Sequence, residues 1–318
     1  MRYTGAMRPA ETPRLIALDW GTSNLRARLL GDDGRVLDMR AGAAGVMAIA
    51  DRRFEAALMA LAGDWITLHR CPLVASGMVG SRQGWQEAPY LPCPATLDEA
   101  AGRLTTVALD AGPMLHIAPG LRFLGSDGQD DVMRGEETQL WGAGLGAGAC
   151  CVLPGTHAKW AWMGLSAGGT RDEIRAFRTY MTGELYAVLS QHSILGRLMQ
   201  FGEPAPEAFE QGVRLGLAEH AQATHVIFAA RTAGLMGRVA AHALPDFLSG
   251  MLIGIEIGSA TRDSAPPAVT VLGAEALAVR YEAALCIAGI ATTRAAADAT
   301  TRGQWRLAQA AGIVGRTA

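Results

Sequence analysis

Residues 15–20, LIALDW, form an apolar run that ends on an acid and reads as a buried strand. Residues 25–31 alternate, Leu25, Ala27 and Leu29 against Arg26 and Arg28. GDDGRV then supplies an Asp-Gly hairpin signal into a third strand over 36–40. The chain thus opens on a three-strand antiparallel meander. Apolar spacing over 54–68 is helical, and PLVASGMV (72–79) returns to a strand. A Pro- and Gly-rich stretch without periodicity follows over 80–94, long enough to suggest a functional loop. A second cycle begins with a helix over 136–145. It continues as strand, small polar turn and strand over 149–164, a strand over 174–181, and a helix with Thr182 as N-cap. Residues 203–262 read as helical with a break at Pro245, and 267–285 as strand, glycine, helix. The order β-turn-β-β-α recurs about 130 residues on, which predicts two similar α/β halves. The boundary falls near 144–148.

Composition narrows the class. At 318 residues, half apolar and 18% charged, the chain can bury a large core as an ordinary globular protein. A net charge of −2 without a basic stripe argues against a nucleic-acid surface, so an anionic ligand must be held by local groups. Five cysteines show no C-x-x-C pair and point to a reducing, cytoplasmic setting. The longest apolar helix candidate, 247–260, is short for a membrane span and contains Glu256. Residues 1–13 read as a loose tail rather than a signal peptide. Lys159 is the sole lysine among 28 basic residues, which suggests a site that prefers a compact ammonium to a guanidinium, or a chance survivor of an arginine bias.

Glycine-rich signatures are mostly excluded. The lone lysine follows Ala158, so there is no Walker A loop. The pair Gly142 and Gly144 follows a helix, the reverse of a dinucleotide fingerprint. Zinc spacings and a G-x-S-x-G elbow are absent. Two polar turns remain, Asp19-Trp20-Gly21-Thr22-Ser23 and Pro154-Gly155-Thr156-His157, each after a buried strand. Gly permits close backbone approach, and turn N–H groups with hydroxyls suit phosphate oxygens. A carboxylate beside phosphate needs a cation, which makes Asp19 an outer Mg²⁺ ligand through water. Asp19 closing its own turn is the plainer alternative for one turn. Two such turns in equivalent places favour a polyphosphate. The acidic run SDGQDDVMRGEETQLWG (126–142) surrounds Arg134. It reads as a solvated helix cap, or as a cleft site where a carboxylate accepts a hydroxyl proton and Arg134 holds a substrate acid. Asp131 is the first choice as base, with Glu136 and Glu137 as alternatives.

DWGTSNLRA, SGMVGSRQGWQEAPY, DVMRGEETQLWGA, LPGTHAKW and TYMTGELYAVL occur in this order. Together they resemble the 2-dehydro-3-deoxygalactonokinase family, from about residue 14 to about 285, most weakly over 203–245 and at the C-terminus. The resemblance implies the actin/hexokinase/Hsp70-type fold, with ribonuclease-H-like halves at 14–145 and 146–318, a helical insertion over 203–245, and ATP bound in the cleft between the halves. It implies ATP- and Mg²⁺-dependent phosphorylation of 2-dehydro-3-deoxygalactonate at its terminal 6-hydroxyl, in galactonate catabolism. Asp19, Gly21, Thr22 and Ser23 would fill one phosphate turn, and Gly155 and Thr156 the other with Lys159 beside them. Gly273 would contact adenosine, while Ser81, Trp85 and Arg134 would lie on the sugar-acid side. Many sugar kinases of this fold carry an acid in the second turn, where this chain has PGTH, so the base is sought in 127–137. A kinase for the epimer 2-keto-3-deoxygluconate, or an actin-fold ATPase acting on a protein partner, are the alternative readings. Neither nucleic acid nor membrane is expected as a partner, and the sequence leaves room for a homo-oligomer.

Overall fold

A computed structural model of the chain describes residues 12–110, 112–165 and 172–315. Of the expected tail over 1–13, residues 1–11 lie outside the described residues. The meander forms as read: β1 (Leu15–Trp20), β2 (Leu25–Leu30) and β3 (Val36–Gly42) pair antiparallel, with Leu15 opposite Leu30 and Trp20 opposite Leu25. Then come α1 (Phe54–His69), β4 (Leu73–Ser76), β5 (Tyr90–Pro92), β6 (Ala95–Thr96) and α2 (Leu97–Ala101). β7 (Thr105–Ala108), β8 (Met114–Ile117), β9 (Gly120–Leu124), β10 (Asp130–Met133) and α3 (Glu136–Ala143) complete this stretch. The second stretch has β11 (Cys150–Leu153), β12 (Ala158–Leu165), β13 (Asp172–Tyr180), α4 (Thr182–His192) and α5 (Pro206–Ala218). It goes on through α6 (Ala223–Val226), α7 (Ala229–Leu235), α8 (Leu244–Ala260), β14 (Ala268–Val271), α9 (Glu275–Ile287) and β15 (Ala291–Arg294). The last helix is α10 (Ala299–Ala310).

Two compact units result. The first takes the described residues up to Ala147, those within Gly164–Arg175, and those from Asp298 on; the second takes Gly148–Met163 and Ala176–Ala297. The large sheet of the first unit runs β3-β2-β1-β4-β8-β7, and that of the second repeats its first five places as β13-β12-β11-β14-β15. In both, an antiparallel pair, β1 with β2 and β11 with β12, adjoins two parallel pairings, so the recurrence in pattern is a recurrence in topology.

The apolar run of β1 is continuous because both faces are covered. Ile16, Leu18 and Trp20 pack with Phe54, Leu58 and Ile66 of α1. Leu15 and Ala17 pack with Trp305 and Ala308 of α10, a helix from the far end of the chain. In the second unit Val152 and Trp160 meet Phe209, Val213, Ile253 and Ile257 of α5 and α8, together with Val271 and Ala284. Buried residues occur all round α8, yet among the described residues no helix is long and apolar enough to cross a membrane. Pro245 stands in the first turn of that helix, where a missing N–H costs nothing.

Two expectations are corrected. The strand expected over 72–79 stops at Ser76, because Gly77 takes φ 98° and turns the chain into a short 3-10 segment. Thr182 is not the N-cap of α4. Met181 holds that place without a side-chain cap, and the Thr182 hydroxyl is spent on Glu256 instead.

Candidate active site

Strand parity decides where Asp19 points. Leu15 and Ala17 occupy the α10 side of β1, so Asp19 shares that side at the strand's carboxyl end. Arg26 Nη1 donates to Asp19 Oδ2 at 3.2 Å. Arg28, two residues along, is half-buried; burial lowers its affinity for the proton, and the Asp19 charge partly restores it. The turn beyond is held by its carbonyls. Val46 N donates to Gly21 O at 3.0 Å, Met47 N to Thr22 O at 3.1 Å and Gly45 N to Ser23 O at 3.1 Å. The Thr22 and Ser23 side chains remain exposed.

Glycines bring the acidic helix to this strand end. A Cβ on Gly77 would lie 2.8 Å from Trp20 O, and one on Gly135, at φ 109°, 3.1 Å from Gly77 Cα. Only residues without a side chain allow that stacking. It seats the start of α3 on the end of β1. There Glu136 Oε2 accepts from Arg134 N at 3.0 Å, and Glu137 Oε2 from Gly135 N at 2.6 Å. Glu136 is partly exposed, whereas Glu137 is 0% exposed and held at about 7, by burial first and by Glu136 second. Asp131 stands apart from these two. It lies in β10 of a small sheet ordered β10-β9-β5, and its Oδ1 accepts from the next amide, Val132 N, at 2.7 Å.

Arg134 is 8% exposed, its guanidinium 4.3 Å above the Tyr90 ring and donating through Nη2 to Ala88 O at 2.8 Å. Nε and Nη1 have no partner, and neither does the buried hydroxyl of Ser81. These orphans are neighbours, since a Cβ on Gly80, next to Ser81, would be 2.9 Å from Arg134 Nη1. Buried donors without acceptors are costly, and such a group calls for an anionic or hydroxylated ligand. Trp85 sits in the same loop, but its ring stacks on Phe54 at 6.1 Å and meets Trp20 edge-on. It braces the loop, helped by Arg52, which donates to Gly84 O and Trp85 O at 2.8 Å.

The second turn is gripped by α4. A Cβ on Gly183 would lie 2.4 Å from Gly155 O, Glu184 N donates to Thr156 O at 3.0 Å, and His157 Nε2 meets Glu184 Oε2 at 2.5 Å. Lys159, 5% exposed, donates from Nζ to His157 O at 3.3 Å, so its ammonium lies at the turn backbone. Gly273 packs at the start of the same turn, where a Cβ would be 3.3 Å from Pro154 Cδ. Beside the turn opens a cavity of about 230 Å³, lined by Gly155, Thr182, Gly183, Tyr186, Leu277 and Tyr281 among others. Its glycines, aromatics and leucines suit a flat nucleobase and ribose.

The donor set also limits any metal. No group of three or more His, Cys, Asp or Glu able to hold a metal occurs among the described residues. Asp19 is a single carboxylate, so it fits an ion carried mainly by phosphate oxygens and water, not a protein cage.

Several residues were missed from sequence. Gln304 of α10, 0% exposed, donates through Nε2 to Leu18 O at 2.6 Å and to Ser76 Oγ at 2.9 Å, tying β1 to β4 just before Asp19. No local pattern reveals a contact over that separation. Arg26 was visible only as one polar position of an alternating strand. Glu256 did carry a signal, as the acid inside an apolar helix.

Known proteins match this chain along most of its length. A family model described as 2-keto-3-deoxy-galactonokinase matches residues 19–307. The 2-dehydro-3-deoxygalactonokinase of Escherichia coli K12 is 38% identical over 290 residues, covering 90% of this chain and 94% of that protein. The crystal structure of a candidate 2-dehydro-3-deoxygalactonokinase from Sinorhizobium meliloti aligns with a TM-score of 0.82 at 35% identity, over 93% of this chain and 98% of the other. A xylulose kinase from Lactobacillus acidophilus reaches 0.51 at 8% identity over 94% and 89% of the two chains, a likeness of fold alone.

Proposed function

The chain belongs to the 2-keto-3-deoxy-galactonokinase family, and we propose that it transfers the γ-phosphoryl of ATP to the terminal hydroxyl of 2-dehydro-3-deoxygalactonate. The observation that carries the substrate reading is the pair of unpaired Arg134 nitrogens beside the unpaired Ser81 hydroxyl. A sugar-acid carboxylate supplies the acceptors they lack, and charge-assisted hydrogen bonds in a buried place orient it.

The adenosine occupies the cavity beside Gly155, whose walls include Tyr186, Leu277 and Tyr281, while Gly273 backs the turn at Pro154. Each turn offers groups suited to phosphate oxygens. In the turn beside the cavity these are Gly155 and Thr156, with Lys159 in support. In the turn after β1 they are Thr22 and Ser23; there the Gly21 N–H is held by Asn24 O at 3.0 Å, and the glycine instead lets the backbone approach closely. Mg²⁺, held by the phosphates with Asp19 as outer partner, would offset their charge. Asp19 and Arg26 then form a local charge pair that adjusts to the phosphates. The base is a carboxylate at the start of α3. Glu136 supports that role best, because it is partly open to solvent and begins α3, which the Gly135, Gly77 and Trp20 contacts seat on the end of β1. It accepts the proton from the substrate hydroxyl as that oxygen bonds to phosphorus and the bond to ADP breaks. Buried Glu137 anchors the helix start. Such a reaction, fed by ATP, belongs in the cytoplasm.

ADP release followed with a panel of 2-keto-3-deoxy acids tests the activity. Release is expected to depend on the added acid and to favour the galactonate epimer; hydrolysis that ignores the acid would overturn the reading. For the base, Glu136→Gln should lower kcat by about 10²–10⁴-fold while ADP affinity holds, and Asp131→Asn should leave kcat nearly unchanged. The opposite ranking would return the role to Asp131.

A further inference from the structure

Glu256 lies deep in α8, 1% exposed, among apolar neighbours. Its two oxygens collect donors from three other elements. Trp160 Nε1 of β12 donates to Oε1 at 2.8 Å, and Oε2 accepts from Tyr281 of α9 at 2.7 Å and from the Thr182 hydroxyl at the start of α4. Thr182 and Tyr281 are both walls of the cavity beside the second turn. Thr182 is tied to the turn through its neighbour, because Gly183 lies so near Gly155 that a Cβ on it would be 2.4 Å from Gly155 O. A shift of Thr182 therefore moves the turn backbone.

We propose that Glu256 is a positioning residue for the nucleotide: one buried carboxylate fixes the first residue of α4 and Tyr281 of α9, and so holds the adenosine cavity and the Gly155 turn in register. The assignment rests on the nucleotide reading of that cavity and is independent of the sugar-acid seat. A carboxylate suits the task because it accepts several hydrogen bonds at once, whereas an indole N–H only donates. Losing it would orphan three buried donors together. Glutamine is the natural rescue, with its carbonyl facing Trp160 and its amide facing the two hydroxyls.

Calorimetric ADP binding and paired KM measurements on the whole chain test this. Glu256→Ala should weaken ADP and raise KM for ATP by on the order of tenfold, with KM for the sugar acid within about twofold; Glu256→Gln should stay near wild type. Wild-type ADP affinity in a folded Glu256→Ala protein, or a parallel rise of both KM values, overturns the role. If Glu256→Ala fails to fold, Glu256→Leu, which fills the space but offers no acceptor, replaces it, and Tyr281→Phe and Thr182→Val are each made in wild-type and Glu256→Leu backgrounds. Their effects on ADP affinity should be non-additive with Glu256→Leu, and additive effects overturn the proposal. Leu277→Trp, at a wall residue 38% exposed, separates the premise. It should block ADP; unchanged affinity would refute the cavity as the nucleotide seat, whatever Glu256 does.

Discussion

At the scale of single residues, what matters is whether a buried polar group has been given its partners. Arg134 has not, at two of its three nitrogens. Arg134→Lys keeps the charge but loses the fixed geometry, so KM for the sugar acid should rise by about 10–100-fold while KM for ATP stays put. A steady-state comparison checks this, and equal KM values for the sugar acid would remove Arg134 from the substrate. Glu256 has all its partners and still titrates high, at about 7 against an ordinary 4.5, because burial disfavours its charge. Between those two pH values the unfolded chain has released the proton and the folded chain has kept it. Stability from this group is therefore full below pH 4.5 and is lost as pH rises to about 7, by on the order of 3 kcal/mol. Glu256→Gln has no such proton, so its Tm should fall less steeply than wild type across that window. Identical slopes in a thermal series would contradict the assignment. From sequence, Arg134 and Glu256 were legible as residues out of place, but their partners were not. Ala88 lies in the loop before β5 and Tyr281 one helix further on, and neither spacing is a motif.

Elements are held together here by close crossings that a sequence pattern does not display. α3 and α10 meet through Gly142 and Gly303: a Cβ on Gly142 would lie 1.8 Å from Ala299 O, and one on Gly303 1.9 Å from Thr138 O. Gly303→Ala must push the helices apart, at a cost of about 1–3 kcal/mol, and it shifts the helix that begins with Glu136. Tm and kcat should both fall. Gly146→Ala, with nothing within 4 Å, is the matched control and should change neither. A neutral Gly303→Ala would mean that the crossing is looser than described. The meander of β1, β2 and β3 was readable from alternation and an Asp-Gly turn, because those signals are local. The end of β4 and the cap of α4 were misjudged for the converse reason. Gly77 answers to Trp20, and Thr182 answers to Glu256, both distant in sequence.

At the scale of the whole molecule, the first unit is not closed by its own stretch of chain. α10 returns to it, burying Leu15 and Ala17 of β1 under Trp305 and Ala308, and Gln304 pins Leu18 and Ser76. A chain ending at Ala297 should therefore lose the fold of the first unit and all kinase activity, as far-UV dichroism and hydrogen exchange would report. A folded, active product would refute this dependence. Mass action supplies a second check. Mg-ADP at a hundredfold excess over its Kd should stabilise the protein by about 2.7 kcal/mol, read as a rise in Tm, and no rise would count against nucleotide binding. The sequence by itself determined the class of the protein, the repeated meander and the two polar turns, since strand alternation and turn chemistry are properties of neighbouring residues. Only the tertiary structure decided which acids stand beside the end of β1, which buried donors lack partners, and which unit the last helix completes. Those outcomes depend on packing between segments far apart in the chain, and the free energy that selects them appears only when distant faces exclude water together.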